Sequence, residues 1–78
     1  MRQKRKYRVL TFRTTSQAMA MEKFCTQNHV GGRLIPVPVE ISAGCGLAWR
    51  MEPLEYLDFL KKYPDKEQEF QQAIEILL

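Results

Sequence analysis

RLIPVPVEISAGCGLAWRM, residues 33–51, is the stretch that decides the predicted fold. Pro36 and Pro38 exclude a helix and hold the residues before them in extended conformations. Amides two residues apart in a strand point the same way, so these prolines remove two donors from one side of a strand over 33–41. That strand is therefore predicted to lie at a sheet edge. After a loop of small residues, the alternating apolar side chains of 47–51 predict the next strand.

The N-terminal side of this stretch is predicted to form a strand and a helix. Residues 7–12 are β-branched, aromatic and aliphatic and end at a polar cluster, which is typical of a strand that meets a turn. Thr15 or Ser16 is the expected N-cap of the helix, and its buried face is expected to comprise Ala18, Met21 and Cys25. The helix is expected to stop at Gly31–Gly32, where glycine adopts the left-handed conformation and His29 bonds to the terminal carbonyls.

Two further helices are predicted on the C-terminal side. Glu52 and Pro53 begin the first, since proline is tolerated at a helix start, and Pro64 ends it. Its apolar side is expected to consist of Leu54, Tyr56, Leu57, Leu60 and Tyr63. Asp65 and Gln68 have the spacing of a capping box, so a last helix is expected to run to the chain end. The buried stripe of that helix would comprise Phe70, Ala73, Ile74 and Leu77.

These elements, in the order β-α-β-β-α-α, predict an α+β two-layer sandwich. Its three-stranded sheet is expected to be mixed, with the helices on one face. The 78 residues make one domain, because a chain this short cannot divide into two cores. Residues 1–6 are expected to be a basic flexible arm, and residues 7–78 the single α+β domain.

The net charge of +3 conceals an uneven distribution. Six of the twelve Lys and Arg lie in residues 1–13 without any acidic residue, whereas the rest of the chain has six bases against nine acids. Nucleic-acid binding is nevertheless disfavoured, because the basic segment lacks the interleaved aromatic residues of a stacking platform. Neither a secretory signal nor an apolar run long enough to span a membrane is present, so a cytoplasmic protein is expected.

Cys45 is the candidate for chemistry, because it lies between Gly44 and Gly46 in a loop where no neighbouring side chain covers its sulfur. Successive backbone N–H groups in such a loop can converge and stabilise a thiolate, the nucleophile needed for sulfur transfer. Arg50 is a potential partner for the thiolate, although at ~3.3 Å per residue it lies about 16 Å along an extended strand. In the alternative interpretation, Cys45 is a small loop or core residue without a chemical role.

The other candidates have simpler explanations. Cys25 falls on the apolar side of a helix, where a small hydrophobic residue is sufficient. Arg13 and Arg33 lie at strand ends, where a solvated charge is the ordinary interpretation. One histidine and no C-x-x-C do not make a zinc site, and the glycines around Cys45 lack the context of a phosphate-binding loop, so no metal or cofactor is expected.

The central segment resembles the small bacterial family of selenium/sulfur carrier-like proteins. The resemblance is carried by RLIPVP at 33–38, EIS at 40–42, CGLA at 45–48 and Arg50. It implies that Cys45 carries sulfur or selenium as a persulfide or selenosulfide. The binding residues expected around it are Ser42, Gly44, Gly46 and Arg50. Unlike carriers with a C-P-x-P motif at a helix start, this chain has glycine after the cysteine, so activation by a helix dipole is not indicated.

The favoured function is thus a noncatalytic carrier that receives a chalcogen from a donor protein and passes it to an acceptor. The alternative is a small binding or regulatory module that docks through its edge strand and Leu77–Leu78, with Cys45 incidental. A stand-alone enzyme ranks third, because so small a core encloses little volume for a substrate. The sequence leaves the oligomeric state open.

Overall fold

The computed structural model of the chain describes residues 4–41 and 45–78. Within those residues the sheet has four strands, all paired antiparallel, in the order β2-β3-β1-β4. The strands are β1 (Lys6–Thr11), β2 (Arg33–Pro36), β3 (Leu47–Met51) and β4 (Gln72–Leu77). The helices are α1 (Thr15–Gln27) and α2 (Pro53–Lys62), followed by a 3₁₀ helix at Pro64–Glu69. The predicted three-stranded mixed sheet is therefore wrong.

The error lies in the C-terminal segment, which forms an edge strand instead of a last helix. The predicted capping box does not form, because Asp65 and Gln68 lie inside a 3₁₀ helix that begins after Tyr63 without a side-chain cap. β4 then pairs with β1 along its whole length, from Gln72 opposite Thr11 to Leu77 opposite Lys6. Helical spacing fits Phe70, Ala73, Ile74 and Leu77, but strand spacing fits the alternate residues Ile74, Ile76 and Leu78. Pairing prevails because it satisfies the outer edge of β1 and buries these side chains against the sheet.

β2 lies at the other edge of the sheet, which confirms the prediction made from its two prolines. The strand is shorter than predicted and ends at Pro36. The chain then turns, with the Ile41 N–H donating to the Pro38 carbonyl oxygen at 2.9 Å. This turn brings Ile41 back onto the sheet, where its side chain is buried.

α1 buries Ala18, Met21 and Cys25, as its spacing predicted. Its N-cap is Thr14, one residue before the predicted cap, and the Thr14 hydroxyl accepts a hydrogen bond from the Gln17 N–H at 3.1 Å. At the other end His29, not a glycine, adopts the left-handed conformation (φ 57°). The Val30 N–H then donates to the Cys25 carbonyl oxygen at 2.8 Å, the long bond of a Schellman-type helix end.

α2 begins after Glu52, as predicted, with a reciprocal capping box between Glu52 and Glu55. Tyr56, Leu60 and Tyr63 pack against the core, as predicted. The fully enclosed residue of the helix is Phe59, which the prediction did not include. Leu54 is 79% exposed and Leu57 is 54% exposed. The helix therefore packs through a narrower stripe than its leucines suggested.

Apolar side chains form two clusters, one on each face of the sheet. The helix-side cluster contains the buried residues Leu10, Phe12, Ala18, Met21, Cys25, Trp49, Met51, Phe59 and Phe70. The second cluster is built around Val9, Ile41 and Ala48, with side chains from β2, β4 and the turn after β2. Alternate residues of β1 and β3 supply the two clusters, as expected of strands covered on both faces.

The N-terminal residues continue the sheet. The backbones of Arg5 and Leu78 exchange two hydrogen bonds of 3.2 and 3.0 Å, just beyond the β1–β4 ladder. The arm boundary at residue 6 stays a prediction.

Candidate functional site

Cys45 lies two residues before β3, at the end of the loop that the sequence singled out. Its side chain is half-buried and packs against the helix-side cluster. The thiol donates a hydrogen bond to the Leu47 carbonyl oxygen, with 3.8 Å between sulfur and oxygen. The sulfur is thus held near the surface at the start of a rigid strand.

Gly46 connects Cys45 to that strand in a conformation that suits glycine. Its φ is +96°, and a Cβ placed on it would meet no atom within 4 Å. The Gly46 carbonyl oxygen accepts a hydrogen bond from the Val37 N–H at 3.0 Å, which ties the loop end to the chain after β2. Ser42 and Gly44 lie outside the described residues.

Arg50 is not brought to Cys45. Side chains alternate across a strand, and Trp49 and Met51 on either side of Arg50 both belong to the helix-side cluster. Arg50 consequently projects from the opposite face, where its guanidinium lies 4.5 Å from the centroid of the Tyr7 ring. Cys45 packs on the helix side, so the sheet separates the two residues.

Cys25 has a different environment from Cys45. Its side chain is fully buried in the helix-side cluster. Burial raises the pKa of the Cys25 thiol to about 11, against a smaller lowering effect from the charge of Lys66. Cys25 is accordingly a protonated core residue at neutral pH, which confirms its prediction as a buried side chain.

Arg50 belongs instead to a groove at one end of the second sheet face, which we call the arginine groove. It has a volume of about 470 Å³, and its lining includes Arg5, Tyr7, Arg33, Arg50, Glu52 and Glu55. Tyr7 was not recognised as a site residue from the sequence, and Arg33 was considered only as a partner for Cys45. The signal that would have found this group is the strand register, which places Arg33 opposite Arg50.

Within residues 4–41 and 45–78, His, Cys, Asp and Glu side chains form no group of three or more that could hold a metal ion. None of the helices in these ranges combines the length and the apolar character needed to cross a membrane.

Comparisons with known proteins address the family of the chain. Neither the curated proteins nor the solved structures include a significant match. The model of one protein family, described as "Putative Se/S carrier protein-like", matches residues 6–75. The match covers most of the chain, from the start of β1 into β4, and ends two residues before that strand does. By this match, the chain belongs to the Se/S carrier protein-like family.

Proposed function

We propose that this protein carries sulfur or selenium on Cys45 and relays it between a donor and an acceptor protein. The chain belongs to a Se/S carrier-like family. Within it, the observation that supports the proposal most directly is the different burial of its two cysteine thiols. Cys45 is half-buried at a loop end, whereas Cys25 is fully enclosed in the core. A carrier needs a sulfur that two larger proteins can reach in turn, and the partial exposure of Cys45 supports its choice over Cys25.

The transfer is a thiol exchange without net oxidation or reduction. The Cys45 thiol gives up its proton and its sulfur attacks the outer sulfur of a donor persulfide. A new sulfur–sulfur bond forms at Cys45 while the bond between the donor cysteine and its outer sulfur breaks. The donor cysteine leaves as a thiolate, which takes up a proton. The acceptor thiol repeats the exchange on the Cys45 persulfide, and a selenosulfide follows the same steps with selenium as the outer atom.

The immediate surroundings of Cys45 suit this exchange. In-line attack requires an incoming sulfur to approach Sγ along a free direction. Gly46 contributes no side chain, and among residues 4–41 and 48–78 no atom lies within 4 Å of the position that its Cβ would occupy. The contact with the Leu47 carbonyl is long and weak, so releasing the thiol from it costs little.

The test is persulfide loading by a cysteine desulfurase supplied with free cysteine, read by intact mass. The wild-type protein should gain the mass of one sulfur atom, and a reductant should remove it. Cys45→Ser should gain none. Cys25→Ala serves as the matched control, since it also leaves one cysteine and should load like the wild type.

Two outcomes would contradict the proposal. One is loading that persists in Cys45→Ser and disappears in Cys25→Ala. The other is an absence of any Cys45-dependent adduct both with cysteine and with selenocysteine as the substrate of the desulfurase, which supplies the outer sulfur or selenium already at the persulfide level. A stable complex with a partner that is unchanged by Cys45→Ser would instead support the binding module that the sequence left as an alternative.

A further inference from the structure

Two arginines are direct neighbours across the β2–β3 ladder. Arg33 of β2 is the register partner of Arg50 of β3. Like charges directly opposite each other destabilise an antiparallel pair of strands. The arrangement costs stability in the free protein, and a bound anion between the two guanidinium groups would reverse the sign of that contribution.

Tyr7 holds one of these guanidinium groups in position. The Arg50 guanidinium lies 4.5 Å from the centroid of the Tyr7 ring, and that of Arg5 lies 5.8 Å from the same centroid. Stacking on an aromatic ring leaves the N–H donors of a guanidinium free in its own plane. The Tyr7 ring thereby orders Arg50, and the guanidinium N–H groups stay available to bind an anion.

The acidic residues of the groove are already engaged. The Glu52 carboxylate forms an ion pair with the Arg5 guanidinium, with 2.8 Å between nitrogen and oxygen. Glu55 accepts a hydrogen bond from the Glu52 N–H at 3.0 Å as part of the α2 capping box. Among residues 4–41 and 45–78, no carboxylate lies within 4.0 Å of the guanidinium nitrogens of Arg33 or Arg50.

We propose that the arginine groove binds a compact phosphate-type oxyanion between Arg33 and Arg50. Guanidinium groups match the oxygens of a phosphate through paired N–H donors, and two cations without counter-ions match a dianion better than a single carboxylate. The groove has a volume of only about 470 Å³, which suits a small anion better than a nucleic acid.

This site is independent of the carrier chemistry. Cys45 lies just before the start of β3 and is not among the groove-lining residues, which gather around Arg50 and Glu52 at the other end of that strand. An oxyanion in the groove makes no contact with Cys45 of the same molecule. A failure of one proposal therefore leaves the other standing.

The experiment is an NMR titration of the isotope-labelled protein with inorganic phosphate, against sodium chloride at equal ionic strength. Phosphate should produce saturable chemical-shift changes at the backbone amides of Arg33 and Arg50, and acetate should bind much more weakly. Arg50→Gln and Arg33→Gln should each weaken binding by about tenfold or more, because each removes a charged pair of donors. Arg13→Gln is the matched control, since Arg13 is exposed in the bend before α1 and carries the same charge. It should bind phosphate like the wild type.

A second ligand and a further variant identify the ligand class and exclude a folding artefact. Methyl phosphate tests a phosphomonoester, and tighter binding than inorganic phosphate would point to a phosphorylated metabolite as the source. Arg50→Lys keeps the charge but not the planar pair of donors, so it should fold normally and bind several-fold more weakly. Shifts that do not saturate, that are equal in Arg13→Gln and Arg50→Gln, or that are exceeded with a short oligonucleotide would overturn the proposal.

Discussion

Gly32 lies directly against the indole of Trp49. A Cβ on Gly32 would be 2.5 Å from the Trp49 Nε1 atom and 2.6 Å from the Arg50 carbonyl oxygen. The φ of Gly32 is +126°, a backbone conformation that residues with a side chain rarely adopt. Close approach of the backbone at this point starts β2 and sets Arg33 beside Arg50. Gly32 therefore does not stop α1, which ends at Gln27, but fixes the start of β2.

Gly32→Ala should lower the free energy of unfolding by about 2 kcal/mol or more, because backbone strain and steric overlap act together. Urea denaturation followed by Trp49 fluorescence measures the change. Gly46→Ala is the matched control, since its φ is also positive but its Cβ would meet no atom. That variant should lose only about 1 kcal/mol of strain energy. Equal losses in both variants would show that the contact with Trp49 does not limit this position.

Arg33→Glu should stabilise the protein by roughly 0.2–1 kcal/mol at low ionic strength, because it replaces a like-charged cross-strand pair with an opposite-charged one. Arg13→Glu makes the same change of net charge at a position without a cross-strand arginine, and should give less. The difference between the variants should shrink at high salt, where exposed charges are screened. The same Arg33→Glu variant should no longer bind phosphate. A loss of stability greater than that of Arg13→Glu would contradict the register-based argument.

The buried Cys25 thiol should make the free energy of unfolding depend on pH in the alkaline range. Its pKa is raised by burial from about 9 to about 11, so the folded state holds the thiol proton more tightly than the unfolded chain does. This contribution is fully present below pH 9 and is lost as pH rises through about 11, on the order of 2–3 kcal/mol in total. Between pH 8 and about 11, the free energy of unfolding measured by urea denaturation should therefore fall more steeply for the wild type than for Cys25→Ala. Parallel pH profiles would count against burial as the cause.

Thiol alkylation should distinguish the two cysteines in the folded protein. Iodoacetamide at neutral pH should modify Cys45 first, because Cys45 is half-buried while Cys25 is enclosed and protonated. Peptide mass mapping after brief reaction measures the ratio, and the same reaction in denaturant should modify both residues. Comparable protection of both thiols in the folded state would remove the structural contrast on which the carrier proposal depends.

Thr14 should contribute about 1 kcal/mol to stability through its cap on α1. Thr14→Ala removes the hydroxyl that accepts the Gln17 N–H. Thr15→Ala is a suitable control, since Thr15 is the exposed residue that follows the cap. Thermal unfolding of the two variants side by side measures the effect. A larger loss in Thr15→Ala would mean that the helix is capped one residue later, as the sequence alone suggested.

Local patterns were sufficient for much of the fold. The alternation of Leu47, Trp49 and Met51 correctly predicted both β3 and its buried face, because a strand presents every second side chain to one layer. The spacing of Ala18, Met21 and Cys25 identified the buried face of α1 in the same way. The prolines of residues 33–38 correctly placed β2 at an edge, since missing amide donors are tolerated only there.

The same local reasoning failed where two periodicities overlapped. Residues 70–78 carry apolar side chains at both helical and strand spacing, and no feature within the segment distinguishes the two. The vacant edge of β1 decides the matter, because a central strand in a small sheet gains hydrogen bonds and burial from a second neighbour. That neighbour is about sixty residues away in sequence, so no local window contains the information.

The sequence by itself determined most of the helices and strands and the buried role of Cys25. The tertiary structure alone decided that the sheet has a fourth strand, that Arg50 and Cys45 project from opposite faces, and that Arg33 meets Arg50. The physical reason is that helix caps, turns and side-chain alternation act over a few residues. Strand order and register depend instead on pairing between distant segments, and they set which side chains share a surface.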